Sequence, residues 1–61
     1  MFVARDKNGS LYLHTFKPWP NHLTGEWSNP GYKATLRADL FPKLKFKDEP
    51  IEVEIVPKKK T

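Results

Sequence analysis

The chain has 61 residues, with eleven lysine and arginine residues against seven aspartate and glutamate residues, and its formal net charge is +4. A chain of this length forms one domain and buries only about 60% of its unfolded surface, so the core is expected to be thin. It has no cysteine, which excludes a disulfide framework and a thiolate metal site. The apolar run after Met1 is too short for a secretory signal or a membrane helix, so we expect a cytoplasmic protein.

The first predicted element is a β-hairpin that runs from residue 2 to residue 16. Its two strands, residues 2–5 and 11–16, flank a stretch that contains Asp6, Asn8 and Gly9. These residue types favour a tight turn, because aspartate and asparagine bind their own backbone and glycine accepts the left-handed conformation.

The length of this turn decides which side chains share a face, since a shift of one residue exchanges the two faces. A two-residue loop groups Phe2 and Ala4 with the leucines of the second strand. A three-residue loop with a bulge at Gly9 groups Val3 with those leucines instead. We adopt the three-residue loop because Asp6 favours its first position. The opposite face then carries three candidate binding side chains, Tyr12, His14 and Phe16.

The middle of the chain is predicted to add two strands. Residues 17–22 contain two prolines, which remove backbone donors, so we expect a connection there and not a central strand. Residues 26–28 form a candidate third strand. Residues 32–37 alternate in polarity and form a candidate fourth strand. Trp27 and Tyr32 are expected in the core.

The segment after the fourth strand is too short for an ordinary helix. We expect Asp39 to cap a single helical or 3₁₀ turn that ends at Pro42 and directs Leu40 and Phe41 into the core.

Two further strands are predicted in the C-terminal part of the chain. Residues 42–47 alternate in polarity, with Leu44 and Phe46 expected inside and the intervening lysines outside. Residues 51–56 also alternate, and we expect them to form a half-buried strand that pairs with residues 2–5.

Together these elements predict an all-β fold. It is either a small single-domain antiparallel sheet or a partly open barrel, with four to five strands, an N-terminal hairpin and one short helical turn near Asp39 and Pro42. Residues 1–57 are expected to form the domain, and residues 58–61 a basic, disordered tail.

Several short motifs follow one another in an order that resembles a known group of proteins. They are ARDKNGSLYL at residues 4–13, KP at 17–18, Trp27, GY at 31–32, LFP at 40–42 and DEPIEVE at 48–54. The pattern resembles a group of very short, uncharacterised proteins from phage, prophage and gut-bacterial genomes. The resemblance implies a shared fold and origin, but no activity or functional residue. This chain departs from the pattern between Phe41 and Pro50, where the group is usually more acidic.

Catalysis and metal binding find little support in the sequence. His14 and His22 are the only side chains whose ordinary pKa lies near neutral pH, and no serine or threonine has the surroundings of an activated nucleophile. Two histidines eight residues apart match no zinc spacing. We therefore expect no enzyme activity, no metal and no cofactor.

The leading hypothesis is a small non-catalytic protein that binds another protein, as a host-modulating factor of a mobile element. Trp19 lies between two prolines, in a loop that does not bury itself easily, with His22 nearby. Tryptophan and tyrosine dominate the hot spots of protein interfaces. Alternatively, Trp19 folds back over the thin core. The predicted contact residues are Trp19, His22, Tyr12, His14 and Phe16. An exposed sheet edge also permits a homodimer.

The alternative hypothesis is nucleic-acid binding. On a strand, Lys43, Lys45 and Lys47 form a ladder with a spacing of roughly 6–7 Å, which follows a phosphate backbone. The face that carries Tyr12, His14 and Phe16 then offers rings for base stacking. Alternatively, the lysines only protect a sheet edge from aggregation. The basic tail adds three further candidates, Lys58, Lys59 and Lys60.

Overall fold

The computed structural model describes residues 1–57, in which all regular secondary structure is β-strand. The strands are β1 (Phe2–Arg5), β2 (Leu11–His14), β3 (Trp19–Asn21), β4 (Glu26–Ser28), β5 (Lys33–Leu36) and β6 (Ile51–Glu52). They form a four-stranded antiparallel sheet in the order β5-β2-β1-β6 and a separate antiparallel pair, β3-β4. The all-β prediction is confirmed, although the strands number six and no barrel closes. None of the described residues forms a helix of the length and apolar character needed to cross a membrane.

The N-terminal hairpin has the three-residue loop expected from its sequence. Val3 pairs with Leu13, and the backbone N–H of Asp6 donates to the carbonyl of Ser10 at 2.8 Å. Gly9 adopts a φ of 98°, the left-handed region that favours glycine, and its N–H donates to the carbonyl of Asp6 at 3.0 Å. Val3 therefore shares a face with the leucines of β2.

A small apolar core lies on that face of the larger sheet. Val3, Leu11 and Leu44 are buried. Leu13, Leu36 and Val53 pack against them and remain partly exposed. The core is thin, as the chain length requires.

The smaller sheet is joined to the base of the hairpin turn by three hydrogen bonds. The backbone N–H of Trp27 donates to Oδ1 of Asp6 at 3.0 Å, and the indole Nε1 of Trp27 donates to the carbonyl of Arg5 at 3.0 Å. The N–H of Lys7 donates to the carbonyl of Gly25 at 2.7 Å. Trp27 is buried as predicted, with 5% of its surface exposed.

Strand β3 was not predicted, and its position explains how it accommodates proline. The N–H of Gly25 donates to the carbonyl of Asn21, so Asn21 and Trp19 direct their backbone groups towards β4. Pro20 lies between them, and its nitrogen faces away from β4. A proline at such a position breaks no hydrogen bond of the sheet.

The predictions for residues 38–47 are wrong in secondary structure but partly right in burial. The expected helical turn is a hydrogen-bonded turn in which the N–H of Leu40 donates to the carbonyl of Arg37, and Leu40 and Phe41 stay 41% and 38% exposed. The expected strand at residues 42–47 is replaced by further turns. Leu44 nevertheless points inward, and so in part does Phe46.

The C-terminal strand pairs with β1 as expected but is shorter than predicted. Ile51 pairs with Val3, and within residues 1–57 the last backbone hydrogen bond runs from the N–H of Val53 to the carbonyl of Met1 at 2.8 Å. Ile55 is 62% exposed, so the predicted half-buried face ends early. Tyr32, expected in the core, is 84% exposed. The predicted tail, residues 58–61, lies outside the described residues.

Candidate functional site

An open groove lies beside Trp19, between the smaller sheet and the turn that precedes β6. Its volume is about 360 Å³, which falls within the range of about 300–1,000 Å³ typical of ligand sites. Trp19 is 54% exposed at its wall, although its backbone is held in β3. Three prolines also line the groove, namely Pro18, Pro20 and Pro50. We call this surface the aromatic groove.

The other rings of the aromatic groove contact one another edge to face. The ring centroids of Trp27 and Phe46 lie 5.9 Å apart at an interplanar angle of 67°. Phe46 also meets the imidazole of His22, with centroids 5.6 Å apart at 77°. Edge-to-face geometry of this kind is the favoured arrangement of aromatic pairs. These three rings therefore form a connected wall, and the buried Trp27 anchors it to the hairpin.

The rim of the groove carries charges of both signs. Lys17 and Lys47 are exposed, as is Glu49. Asp48 is partly buried, and its Oδ2 accepts a hydrogen bond from the backbone N–H of Lys45 at 2.8 Å. The rim is therefore balanced in charge and surrounds an apolar interior.

A second groove lies on the other side of residues 48–49. Its volume is about 470 Å³, and its lining is mostly apolar, with Phe41, Leu44 and Ile51 among its residues. Asp48 and Glu49 contribute to both grooves. This second groove is continuous with the apolar core, because Leu44 belongs to both.

The structure separates the predicted contact residues into two groups. Trp19 and His22 line the aromatic groove together. His14 is fully buried, so its ring is out of reach of a partner, and Tyr12 is partly covered by Lys33, whose Nζ lies 4.4 Å from the ring centroid. Phe16 is 58% exposed but does not line the groove. The expected surface of three adjacent rings on β2 is therefore absent.

His14 is held in its neutral form by its surroundings. Burial lowers the pKa of His14, the nearby Lys33 cation lowers it further, and Asp6 opposes the shift. The amide Nδ2 of Asn29 lies 2.6 Å from Nδ1, while Oδ1 of Asn29 accepts the N–H of Gly31 at 2.6 Å. The amide therefore donates to Nδ1, which must be unprotonated. Nε2 of His14 is buried and has no partner among residues 1–57.

The predicted lysine ladder does not form, because residues 43–47 are not a strand. The N–H of Leu44 donates to the carbonyl of Phe41, and the N–H of Asp48 donates to the carbonyl of Lys45, so two successive turns replace the extended chain. Lys43, Lys45 and Lys47 are exposed. Lys58, Lys59 and Lys60 lie outside the described residues.

Two side chains of the groove were expected mainly in the core. Trp27 and Phe46 were expected to point inward, and each does so while also lining the groove. The signal that could have linked them was the density of aromatic residues and prolines between Phe16 and Pro50. Their contact depends on the turns at residues 44–48. The alternation of polar and apolar residues there predicted a strand instead of these turns.

Comparison of the chain with protein-family models, curated proteins and solved structures found no match. Within residues 1–57, no three side chains of histidine, aspartate or glutamate come together as metal ligands would.

Proposed function

We propose that this protein is a small non-catalytic binding protein of the cytoplasm, which recognises another protein through the aromatic groove. The observation that carries the proposal is Trp19, a large side chain 54% exposed at the edge of an open groove whose other rings are mutually packed. Because β3 fixes its backbone, the segment that carries the indole loses little backbone freedom when a partner binds, and such preorganisation favours affinity.

The groove suits an apolar side chain at the end of an extended segment of the partner. Its interior offers ring faces and prolines, which contact aliphatic or proline side chains without requiring hydrogen bonds. The rim is balanced in charge, but the whole chain carries a net charge of +4, so its long-range field favours a partner with acidic flanks. The resemblance to phage and prophage proteins supports a role as a host-modulating factor of a mobile element.

The test compares proteins captured from the source cell by the wild type and by Trp19→Ala. The variant is expected to lose the specific partner, because truncation of an interface hot spot costs about 2 kcal/mol or more, roughly a thirtyfold loss of affinity. The matched control is Phe16→Ala, which removes an aromatic ring of similar exposure (58%) outside the groove. Amide NMR spectra establish that both variants are folded. A partner list unchanged by Trp19→Ala contradicts the proposal.

Two additional measurements distinguish nucleic-acid binding from protein binding. Capture is repeated after nuclease treatment, and the purified protein is titrated with mixed-sequence DNA and RNA at low salt. Affinity that falls steeply with salt, and falls again when Lys43, Lys45 and Lys47 are replaced by alanine, would identify nucleic acid as the partner. We expect capture to survive the nuclease.

A further inference from the structure

No strand within residues 1–57 pairs with the outer edge of β5, at one side of the larger sheet. The N–H of Thr15 donates to the carbonyl of Tyr32 at 3.0 Å, so Tyr32 directs its backbone groups towards β2. The N–H and C=O groups of successive residues point to opposite sides of a strand. Those of Ala34 and Leu36 therefore also point towards β2, whereas those of Lys33 and Thr35 point away from the sheet. Unpaired groups of this kind are a template for another strand.

The other edges in residues 1–57 are less suited to pairing. At β3 the outward position between Trp19 and Asn21 is Pro20, which has no N–H. At the far side of the larger sheet, β6 is only two residues long. The outer side of β4 meets the hairpin, because the N–H of Trp27 donates to Asp6. Among residues 1–57, β5 is therefore the edge that presents a run of free backbone groups.

Charged side chains usually protect such an edge, but the charged side chains in β5 and directly after it contact other groups of the chain. The guanidinium of Arg37 forms a two-pronged ion pair with Asp39, at 3.1 and 2.6 Å. The ammonium of Lys33 lies over the ring of Tyr12. Tyr32 directly precedes β5, and its side chain lies on the same face of the sheet as those of Ala34 and Leu36. Tyr32 is 84% exposed. A large apolar ring next to an open edge is a feature that a partner strand would cover.

We propose that β5 pairs antiparallel with β5 of a second copy of this chain, about a twofold axis at Ala34. In this register Lys33 of each copy is opposite Thr35 of the other, so the outward N–H and C=O groups of both residues are satisfied. Tyr32 of each copy is then opposite Leu36 of the other, and the exposed ring gains an apolar neighbour. The two four-stranded sheets become one continuous sheet.

Charge and apolar contact favour this register over its neighbours. A twofold axis at Lys33 places the two Lys33 side chains opposite each other, and like charges so opposed destabilise a strand pair. An axis at Thr35 places Lys33 opposite Arg37, which already pairs with Asp39, but it places Tyr32 opposite Ala38, so the exposed ring no longer meets Leu36. The axis at Ala34 opposes Lys33 to an uncharged threonine. This pairing is separate from the aromatic groove, so it goes beyond the proposed function.

The pairing is expected to be weak. One short strand per copy buries less than the roughly 1,200 Å² of a stable interface, so we expect a dissociation constant of about 0.1–1 mM. Sedimentation equilibrium and NMR of the intact chain, from about 20 μM to about 2 mM, span this range. Amide exchange should slow with concentration at Lys33 and Thr35, whereas Ala34 and Leu36, already bonded to β2, should not respond. Isotope-filtered spectra of a mixed-label sample should show contacts between the Tyr32 ring and the Leu36 methyl groups.

Two variants test the edge directly. Thr35→Pro removes an outward N–H without removing a bond to β2, and should abolish association; Thr35→Val is its control. Tyr32→Ala leaves the strand intact and should raise the dissociation constant about tenfold, while Tyr32→Phe should preserve it. If Thr35→Pro does not fold, Tyr32→Ala and the exchange pattern decide. A monomer at about 2 mM, or association with no change at Lys33 and Thr35, overturns the proposal.

Discussion

Arg5 donates hydrogen bonds to carbonyl groups that lie far apart in the sequence. Its Nε donates to Leu44 at 2.7 Å, and its Nη1 donates to Gly9 at 2.7 Å and to Ala38 at 3.0 Å. Its Nη2 donates to Leu40 at 2.8 Å and to Phe41 at 3.2 Å. A guanidinium has five N–H donors in a planar fork, which suits this pattern. Arg5 therefore organises the irregular segment after β5, in which no sheet bonds are available.

We predict that Arg5→Lys destabilises the protein by about 1–3 kcal/mol, because an ammonium cannot reach all of these carbonyls at once. Arg5→Met, which keeps an apolar stem but no donor, should cost more. Urea unfolding measures the loss, and faster amide exchange at Leu40 and Leu44 locates it. The matched control is Arg37→Lys, whose ion pair with Asp39 is largely exposed and should change stability by less than about 1 kcal/mol. Equal effects of Arg5→Lys and Arg37→Lys would contradict this role.

His14 makes stability depend on pH in a predictable direction. Burial and Lys33 lower its folded pKa below the ordinary value of 6.5, so the unfolded chain binds the proton more readily. The stability that neutral His14 contributes is thus present above about pH 6.5 and is lost as pH falls through the folded pKa. Protonation also turns Nδ1 into a donor that faces the amide donor of Asn29.

The measurement is urea unfolding between about pH 7.5 and pH 5, a window above the ordinary pKa of most carboxylates. Wild type should lose stability on acidification. His14→Gln should be less stable at pH 7, because the glutamine amide takes the place of Nε2 and leaves Asn29 without its acceptor at Nδ1. It should lose less stability on acidification, because glutamine does not titrate. His22→Gln removes the other imidazole and its contact with Phe46. As the control it is free to change the overall stability, but it should keep the loss of stability on acidification seen in the wild type. A pH profile unchanged by His14→Gln would refute the assignment.

Among the secondary-structure elements, turn and strand preferences of neighbouring residues predicted the hairpin. They did not predict where a side chain forms hydrogen bonds with backbone carbonyls far away in the sequence. Gly9 adopts a positive φ and Oδ1 of Asn8 accepts the N–H of Ser10, so the turn and its register follow from neighbouring residues. The carboxylate of Asp6 does not cap this turn, because it accepts the N–H of Trp27. Residues 42–47 alternate as a strand does, yet Arg5 binds the carbonyls of Phe41 and Leu44 and holds the chain in turns. Phe41 even adopts a φ of 50°, a conformation that its bulk disfavours.

The aromatic groove likewise depends on contacts between residues that are distant in the sequence. The sequence left two alternatives for Trp19, an exposed ring between two prolines or a ring folded back over the core, and the structure leaves this residue 54% exposed. The burial of Trp27 agrees with its expected place in the core. Their meeting in one groove did not follow, because it needs β3, and a proline-containing edge strand has no pattern of its own. The groove also needs Phe46, whose position depends on the turns that Arg5 holds.

For the whole molecule, the connection between the two sheets determines whether the aromatic groove keeps its shape. Asp6 is 3% exposed, and its carboxylate accepts the buried N–H of Trp27. The remaining connections at this end are the indole bond to the carbonyl of Arg5 and the backbone bond between Lys7 and Gly25. The smaller sheet, with Trp19 on its outer strand, therefore depends on the hairpin for its orientation.

We predict that Asp6→Ala destabilises the protein by about 1–3 kcal/mol, because the N–H of Trp27 is left buried without its acceptor. Asp6→Asn keeps an oxygen at the same place and should cost less. In a Trp19→Phe background, Trp27 fluorescence reports the smaller sheet and far-UV circular dichroism reports both sheets. Their urea transitions should coincide in the parent and shift together in Asp6→Asn, whereas the Trp27 transition should come first in Asp6→Ala. Asp39→Ala removes an exposed carboxylate and serves as the control. Coincident transitions in Asp6→Ala would mean that the remaining bonds suffice to couple the two sheets.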